Sequence, residues 1–392
     1  MNIKESSGRL YYVDWLRVLA MGGIFFFHNA RFYDVWSDWH VKNATTNVGA
    51  SVLIAFMSQW IMPLFFLIAG GATFSALKSR NAGQYSWERT LRILVPLIFG
   101  MLILVVPQAY FQAVFRGELP PGLNIFQVYW LYLKSVPELN WFHLWYLSDL
   151  FLFSLIVLPL FIGWKKGGKS VITKLSGLVS QPWLFLPLMV ISLTIVNTLI
   201  YPEGSWGYGN GGFSIVPYVL FFIFGYLIFA NMNIVELLKK YRWSMLGGAV
   251  VAGVFLYVFF IDELADPTVH FGTAKFALAM FTQAMNSCLW LLAFVGLAGR
   301  YLTFNNRFLA YSNEAVLPFY LLHQTVIIVI GFHVVQWNTG VAVKYPVIAI
   351  SSFIGIMAIY ELLVRRFNAL RFLFGMRAKK ALPKPQITAG TG

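Results

Sequence analysis

The chain has 392 residues, with 29 Lys and Arg against 15 Asp and Glu, a formal net charge of +14, and 59% hydrophobic side chains. Charged residues make up only 11%, against the roughly 25% of soluble globular domains. So few polar groups cannot cover a water-facing surface, which excludes a soluble enzyme, a disordered chain and a disulfide scaffold. The basic residues punctuate apolar segments rather than clustering in a groove, so the expected partner is the lipid bilayer and not nucleic acid.

Ten apolar runs long enough to span a bilayer lie near 11–30, 49–77, 92–113, 143–164, 182–200, 213–231, 243–261, 275–297, 313–335 and 345–364. The first holds Asp14 and Arg17 inside its apolar stretch and has no small-residue cleavage site after it, so it reads as a span rather than a signal peptide. The second is long enough to tilt or to break, with Pro63 and Gly70-Gly71 as the expected places for a break. Alternate connecting segments sum to +19 and −3, which places both termini in the cytoplasm. Residues 114–142 are expected to lie along the membrane interface. The predicted fold is an all-α integral membrane protein, a bundle of about ten transmembrane helices over residues 1–374. Residues 375–392 form a basic cytoplasmic tail, expected to be disordered.

Ionisable side chains inside spans are costly and mark candidate sites. Asp14 and Arg17 are three apart on one helix face and neutralise each other. His28 is eleven residues beyond Arg17, which returns it to nearly the same face about 16 Å further along the axis. The fourth span opens with His143, Trp145 and Tyr146, followed by Asp149. The ninth carries Glu314 near its inner end and Tyr320, His323 and Gln324 near its middle, while His333 reads as a bundle-core residue. Two layers result. An inner one holds Arg17, Arg89, Arg92, Arg300, Glu314 and Glu361, and an outer one holds His28, His143 and His323 beside the aromatic loop residues Trp36, Trp39 and His40 and the stretch 201–213. Glu361 is expected to pair with an arginine of the adjoining basic segment 365–392. No HExxH or paired-ligand spacing occurs, so no metal is expected.

Several segments in this order are familiar. They are VDWLRVLAMGGIFFFH with Arg17 and His28, MPLFFLIAGG at Pro63, ERTLRILVPL with Arg89 and Arg92, HLWYL at 143–147, LPFYLLHQ at 317–324, and YELLVRRFNALRFLF at 360–374. Together they resemble the acyltransferase-3 family of multispan membrane acyltransferases, and within it the type that succinylates periplasmic glucans. Ala69 stands where the family often has Ser. The resemblance implies transfer of an acyl group, acetyl or succinyl, from cytoplasmic acyl-CoA to a hydroxyl of an extracytoplasmic glycan or lipid-linked sugar, by a multi-pass protein of the bacterial inner membrane. It implies no permanently bound cofactor, acyl-CoA being a co-substrate, with Arg17 at the donor and His28 as the catalytic residue.

The residues fit that chemistry. Inner guanidinium groups suit the phosphates of CoA, and Asp14, Arg17, Arg89, Arg92 and Glu314 form the expected donor site. A neutral His28 takes the acceptor proton, with Tyr320, Gln324 or His323 as candidates to steady the oxyanion. His143, Trp145, Tyr146, Trp36 and Trp39 form the expected acceptor site. The competing reading is a secondary transporter or flippase, which intramembrane Asp, Glu and His also suit.

Overall fold

The computed structural model describes residues 9–35, 39–120, 122–134, 141–166, 182–199, 215–266 and 270–379. Among them every regular element is helical. Helix α1 is Tyr11–Ala30, α2 Val48–Ser58 and α3 Ile61–Leu77. A continuous helix, α4, runs Ala82–Arg116. The short α5, Ile125–Lys134, precedes the consecutive α6, Trp145–Ile156, and α7, Leu158–Lys166. Helices α8, Pro182–Leu199, and α9, Ile215–Ala230, lead into the long α10, Met232–Phe259. After the short α11, Ile261–Ala265, come α12, Ala274–Tyr301, and α13, Arg307–Val334. The last are α14, Val341–Ile359, and α15, Asn368–Leu373.

Among the described residues six helices are long and apolar enough to cross a membrane, and α6 with α7, bent by 41°, makes a seventh candidate. Helices α8 and α9 are apolar but shorter. The apolar surface faces outward: in α10 only 11% of the most apolar window is buried, with Val251, Val254 and Val258 exposed. Such a face is stable against acyl chains and not against water. On α5, Phe126 and Trp130 are exposed, as suits a segment lying along an interface.

The second run breaks at Gln59-Trp60, not at Pro63 or at the glycines. Pro63 has no N–H to donate, and its ring crowds the carbonyl four residues back, which belongs to Gln59. That freed carbonyl accepts the Ser287 hydroxyl at 2.6 Å. Pro63 itself sits in the first turn of α3, where no N–H is needed. Gly70 instead serves packing. A Cβ there would lie 1.9 Å from the Phe222 carbonyl oxygen, and one on Gly225 would lie 1.8 Å from that of Leu67. Helices α3 and α9 therefore cross backbone to backbone. In α4, π-helical turns at Thr90–Leu94 and Gly100–Leu104 absorb the missing donors of Pro96 and Pro107.

Helices α1 and α13 run side by side in the same direction. Arg17 meets Asn313 at one end, His28 meets His323 further along, and Phe32 packs on Gly331 beyond. The Arg17 end gathers most of the charge: Arg9 with Asp14, Arg80 and Arg92 with Glu88, and Arg371 with Glu314. Glu361 pairs with Arg365 at 3.0 Å, the pairing expected of it. The described start and end of the chain both lie in this layer, with Arg377 reaching Glu88 at 4.0 Å. His333, expected in the core, is exposed in the last turn of α13, on the face opposite the buried Gly331 and Val334, with Phe111 against one edge of its ring.

Candidate active site

Four of the six histidines converge. His28 is in the last turn of α1, His323 at the middle of α13, His143 in the 3-10 turn Phe142–Leu144 before α6, and His40 in the connection after α1. All four are at most 8% exposed. The polar atoms between them form a continuous network. His28 Nδ1 lies 2.8 Å from His323 Nε2, and His323 Nδ1 lies 2.5 Å from the Tyr320 carbonyl oxygen. His143 Nε2 lies 3.3 Å from the Leu321 carbonyl, with its Nδ1 3.4 Å from Gln108 Nε2. His40 Nδ1 lies 2.5 Å from Gln112 Oε1, and its Nε2 lies 2.8 Å from Gln324 Nε2. Gln324 also donates to Gln108 Oε1 at 3.1 Å, and Gln108 to Thr325 at 2.7 Å.

The partners fix the ring protons, since carbonyl oxygens only accept and amide nitrogens only donate. His323 and His40 are protonated at Nδ1, His143 at Nε2. His323 Nε2 is then an acceptor, so His28 donates from Nδ1. Every ring nitrogen of the four thus has a partner among the described residues except His28 Nε2, which is left unprotonated. Burial pushes the His40 imidazole down to about 4, outweighing its bond to Gln112, so that ring stays neutral in the physiological range. His28 is 8% exposed and His323 fully buried, so of this pair His28 is the one a second molecule can reach.

The candidate oxyanion donors are already engaged. The Tyr320 hydroxyl donates to the His143 carbonyl, Gln324 donates to His40 and Gln108, and His323 gives its proton to Tyr320. Trp39 is different. Its ring stacks on His28 with centroids 5.3 Å apart, and its buried indole Nε1 has no partner. On its other contacts the Arg31 guanidinium lies 5.3 Å from the Trp39 ring. Trp145 and Tyr146 pack inside the bundle against Tyr218 and Phe66, at 5.4 and 5.0 Å, and Tyr146 lies 5.8 Å from Tyr320. Asp149 is buried beyond them, one carboxylate oxygen without a partner. Trp36 and the stretch 201–213 lie outside the described residues.

At the charged end a cavity of about 280 Å³ is lined by Arg9, Asp14, Arg17, Arg80 and Ser75. Asp14 holds Arg9 at 2.8 Å and Arg17 at 3.4 Å, leaving the lining with a net positive charge. The other inner residues do not line it. Arg89 donates to Thr73 at 3.1 Å and covers the Tyr85 ring, Arg92 is paired with Glu88, and Glu314 with Arg371. Sequence reasoning missed Arg9 and Arg80 here, and Gln108 and Gln112 in the histidine network. The amide pair had a legible signal: two Gln four apart inside the apolar helix VVPQAYFQAVF share one face and need buried partners.

Fold and site define a helical membrane protein with four buried histidines joined in one polar network, in which His28 Nε2 has no partner among the described residues. The acyltransferase-3 family model, described as acyltransferase domain, matches residues 10–361, nearly the whole chain. The chain belongs to that family, and its class is membrane acyltransferase. No curated protein and no solved structure matches it.

Proposed function

We propose that this protein moves an acyl group, acetyl or succinyl, from cytoplasmic acyl-CoA to a hydroxyl of an extracytoplasmic glycan or lipid-linked sugar. It does so as a ten-span protein of the bacterial inner membrane with both termini inside. The observation that carries the reading is the bare Nε2 of His28, the one ring nitrogen among the eight of the four histidines left without a partner among the described residues. It takes the proton of the acceptor hydroxyl as the oxygen attacks the thioester carbonyl carbon. The tetrahedral oxyanion receives the free indole N–H of Trp39. Collapse breaks the C–S bond, and His28 returns the proton to the departing thiolate, leaving an ester and free CoA.

The donor side is supported by the cavity that Arg9, Arg17 and Arg80 line. Guanidinium groups bind phosphate oxygens with two parallel donors each. Arg17 and His28 are on one helix about 16 Å apart along its axis, a distance an extended pantetheine arm covers. Arg89, Arg92 and Glu314 frame this layer, and Trp145, Tyr146, His143 and Trp36 are assigned to the acceptor side. The periplasmic-glucan succinyltransferase type remains our choice within the family on the segments quoted above.

The test uses purified protein in nanodiscs with acetyl-CoA or succinyl-CoA and a periplasmic glucan oligosaccharide. Free thiol should be released only when the glucan is present, with acyl mass added to it. Glucan accumulating inside proteoliposomes without thiol release would replace the enzyme with a transporter.

A further inference from the structure

Building on that reading of His28, we propose that His323 is the positioning residue of the site. It fixes the tautomer and orientation of His28 through the chain His28 Nδ1–H to His323 Nε2, and His323 Nδ1–H to the Tyr320 carbonyl. Both links are short, 2.8 and 2.5 Å, and the two rings lie nearly parallel, at 17° with centroids 4.9 Å apart.

The direction of the chain follows from its far end. A backbone carbonyl accepts and cannot donate, so His323 must carry hydrogen on Nδ1. A neutral His323 then has only a lone pair at Nε2. If His28 were protonated at Nε2 instead, two lone pairs would face each other at 2.8 Å. Among the described residues no carboxylate bonds either ring, so a second proton on His323 would be an unpaired buried charge. The arrangement leaves one consistent state, with the basic nitrogen of His28 turned away from His323.

In soluble hydrolases a carboxylate usually orients the histidine. Here the orienting group is neutral, and burying a neutral imidazole costs far less than burying a lone carboxylate. During transfer the acceptor proton moves to His28 Nε2 while the new C–O bond forms. The Nδ1 proton stays on His28 and is donated to His323 Nε2, so the positive charge lies on His28 and is stabilised through His323 and the Tyr320 carbonyl. When the C–S bond breaks the sulfur takes the Nε2 proton, and the resting state returns. His323 touches neither substrate.

Nitrogen-15 NMR of histidine-labelled protein in nanodiscs tests this without substrate, the His28 signals being assigned by comparison with His28→Gln. The expected spectrum has hydrogen on His28 Nδ1 and none on Nε2; hydrogen on Nε2 overturns the proposal. In the thiol-release assay, His323→Leu should lose roughly 10²-fold in kcat at unchanged KM for acyl-CoA. His323→Gln, which restores an acceptor oxygen, should recover to within about tenfold of wild type. A His323→Leu protein with wild-type kcat overturns the positioning role while leaving His28 as base. An active His28→Ala protein instead overturns the reading beneath it. The spectrum of the unsubstituted protein decides the matter even where His323→Leu fails to fold.

Discussion

Arg17 Nη1 lies 3.1 Å from Asn313 Oδ1, which locks α1 against α13 near the charged end. The same two helices are joined again where His28 meets His323. Two fixed points on a parallel pair hold the guanidinium and the imidazole in one register, so a ligand gripped at one end has a defined position at the other. Single-residue changes at either end therefore report on different steps.

Arg17→Ala and Arg80→Ala should each raise the KM for acyl-CoA severalfold with little change in kcat, because phosphate contacts bind ground and transition states alike. Arg17→Lys should recover part of the loss, since Lys lacks the planar fork. Arg92→Ala should have the smaller effect, as that side chain does not line the cavity, whereas Arg80 does while also pairing with Glu88. Steady-state kinetics at two salt concentrations checks the order, and the arginine effects should shrink at high salt. Equal KM values for all three variants and wild type would move the donor site elsewhere.

His28→Ala should abolish transfer by on the order of 10²-fold or more while leaving acyl-CoA binding intact. Calorimetric titration of acetyl-CoA into the variant separates the two quantities. A variant retaining more than about a tenth of wild-type kcat would be incompatible with essential proton transfer at this residue.

Trp39→Phe keeps the ring that stacks on His28 but removes the one unpartnered indole N–H of the site. Loss of an oxyanion donor of this kind costs about 10²-fold in kcat. Trp39→Phe should accordingly fall in kcat with KM for the donor unchanged. If the loss appears wholly in KM for the glycan, Trp39 is a sugar platform and not an oxyanion donor.

Acid should weaken the fold through His40. Its folded value, about 4, lies below the ordinary 6.5, so between these the unfolded chain binds more protons and stability rises with pH. Melting temperature in detergent should be level above pH of about 6.5 and fall as pH drops towards 4. His40→Gln should flatten part of that slope. An unchanged slope in this variant would assign the acid sensitivity to other groups.

The proposed topology places Ser79, after α3, and Asn338, between α13 and α14, on opposite sides; both are exposed. In a Cys288→Ala background, Asn338→Cys should react with a membrane-impermeant thiol reagent on intact spheroplasts, and Ser79→Cys only after lysis. The reverse pattern would invert the bundle and place the arginine cavity outside.

The sequence by itself determined the helical, apolar character of the chain, the charged layer and the shared face of Arg17 and His28, because each is a matter of spacing within one segment. Against the ten runs it offered, six or seven helices among the described residues are long and apolar enough to cross a membrane. Hydrophobic run length and the 3.6-residue period are local properties, legible without knowing any neighbour. Even the break at Gln59-Trp60 was implicit in Pro63, displaced by the four residues that separate a helical N–H from its carbonyl. Partnership between helices was not legible. His28 and His323 are 295 positions apart, and His40 and Gln324 are 284 apart, so only packing of the helices could decide that these rings meet. Packing also decided which arginines line the cavity: Arg80, although paired with Glu88 at 2.7 Å, reaches its wall, while Arg89 is held by Thr73 and Arg92 lies outside it. The proton positions that make His28 the base follow from those contacts alone, since an imidazole has no preferred tautomer strong enough to resist a carbonyl at hydrogen-bond distance.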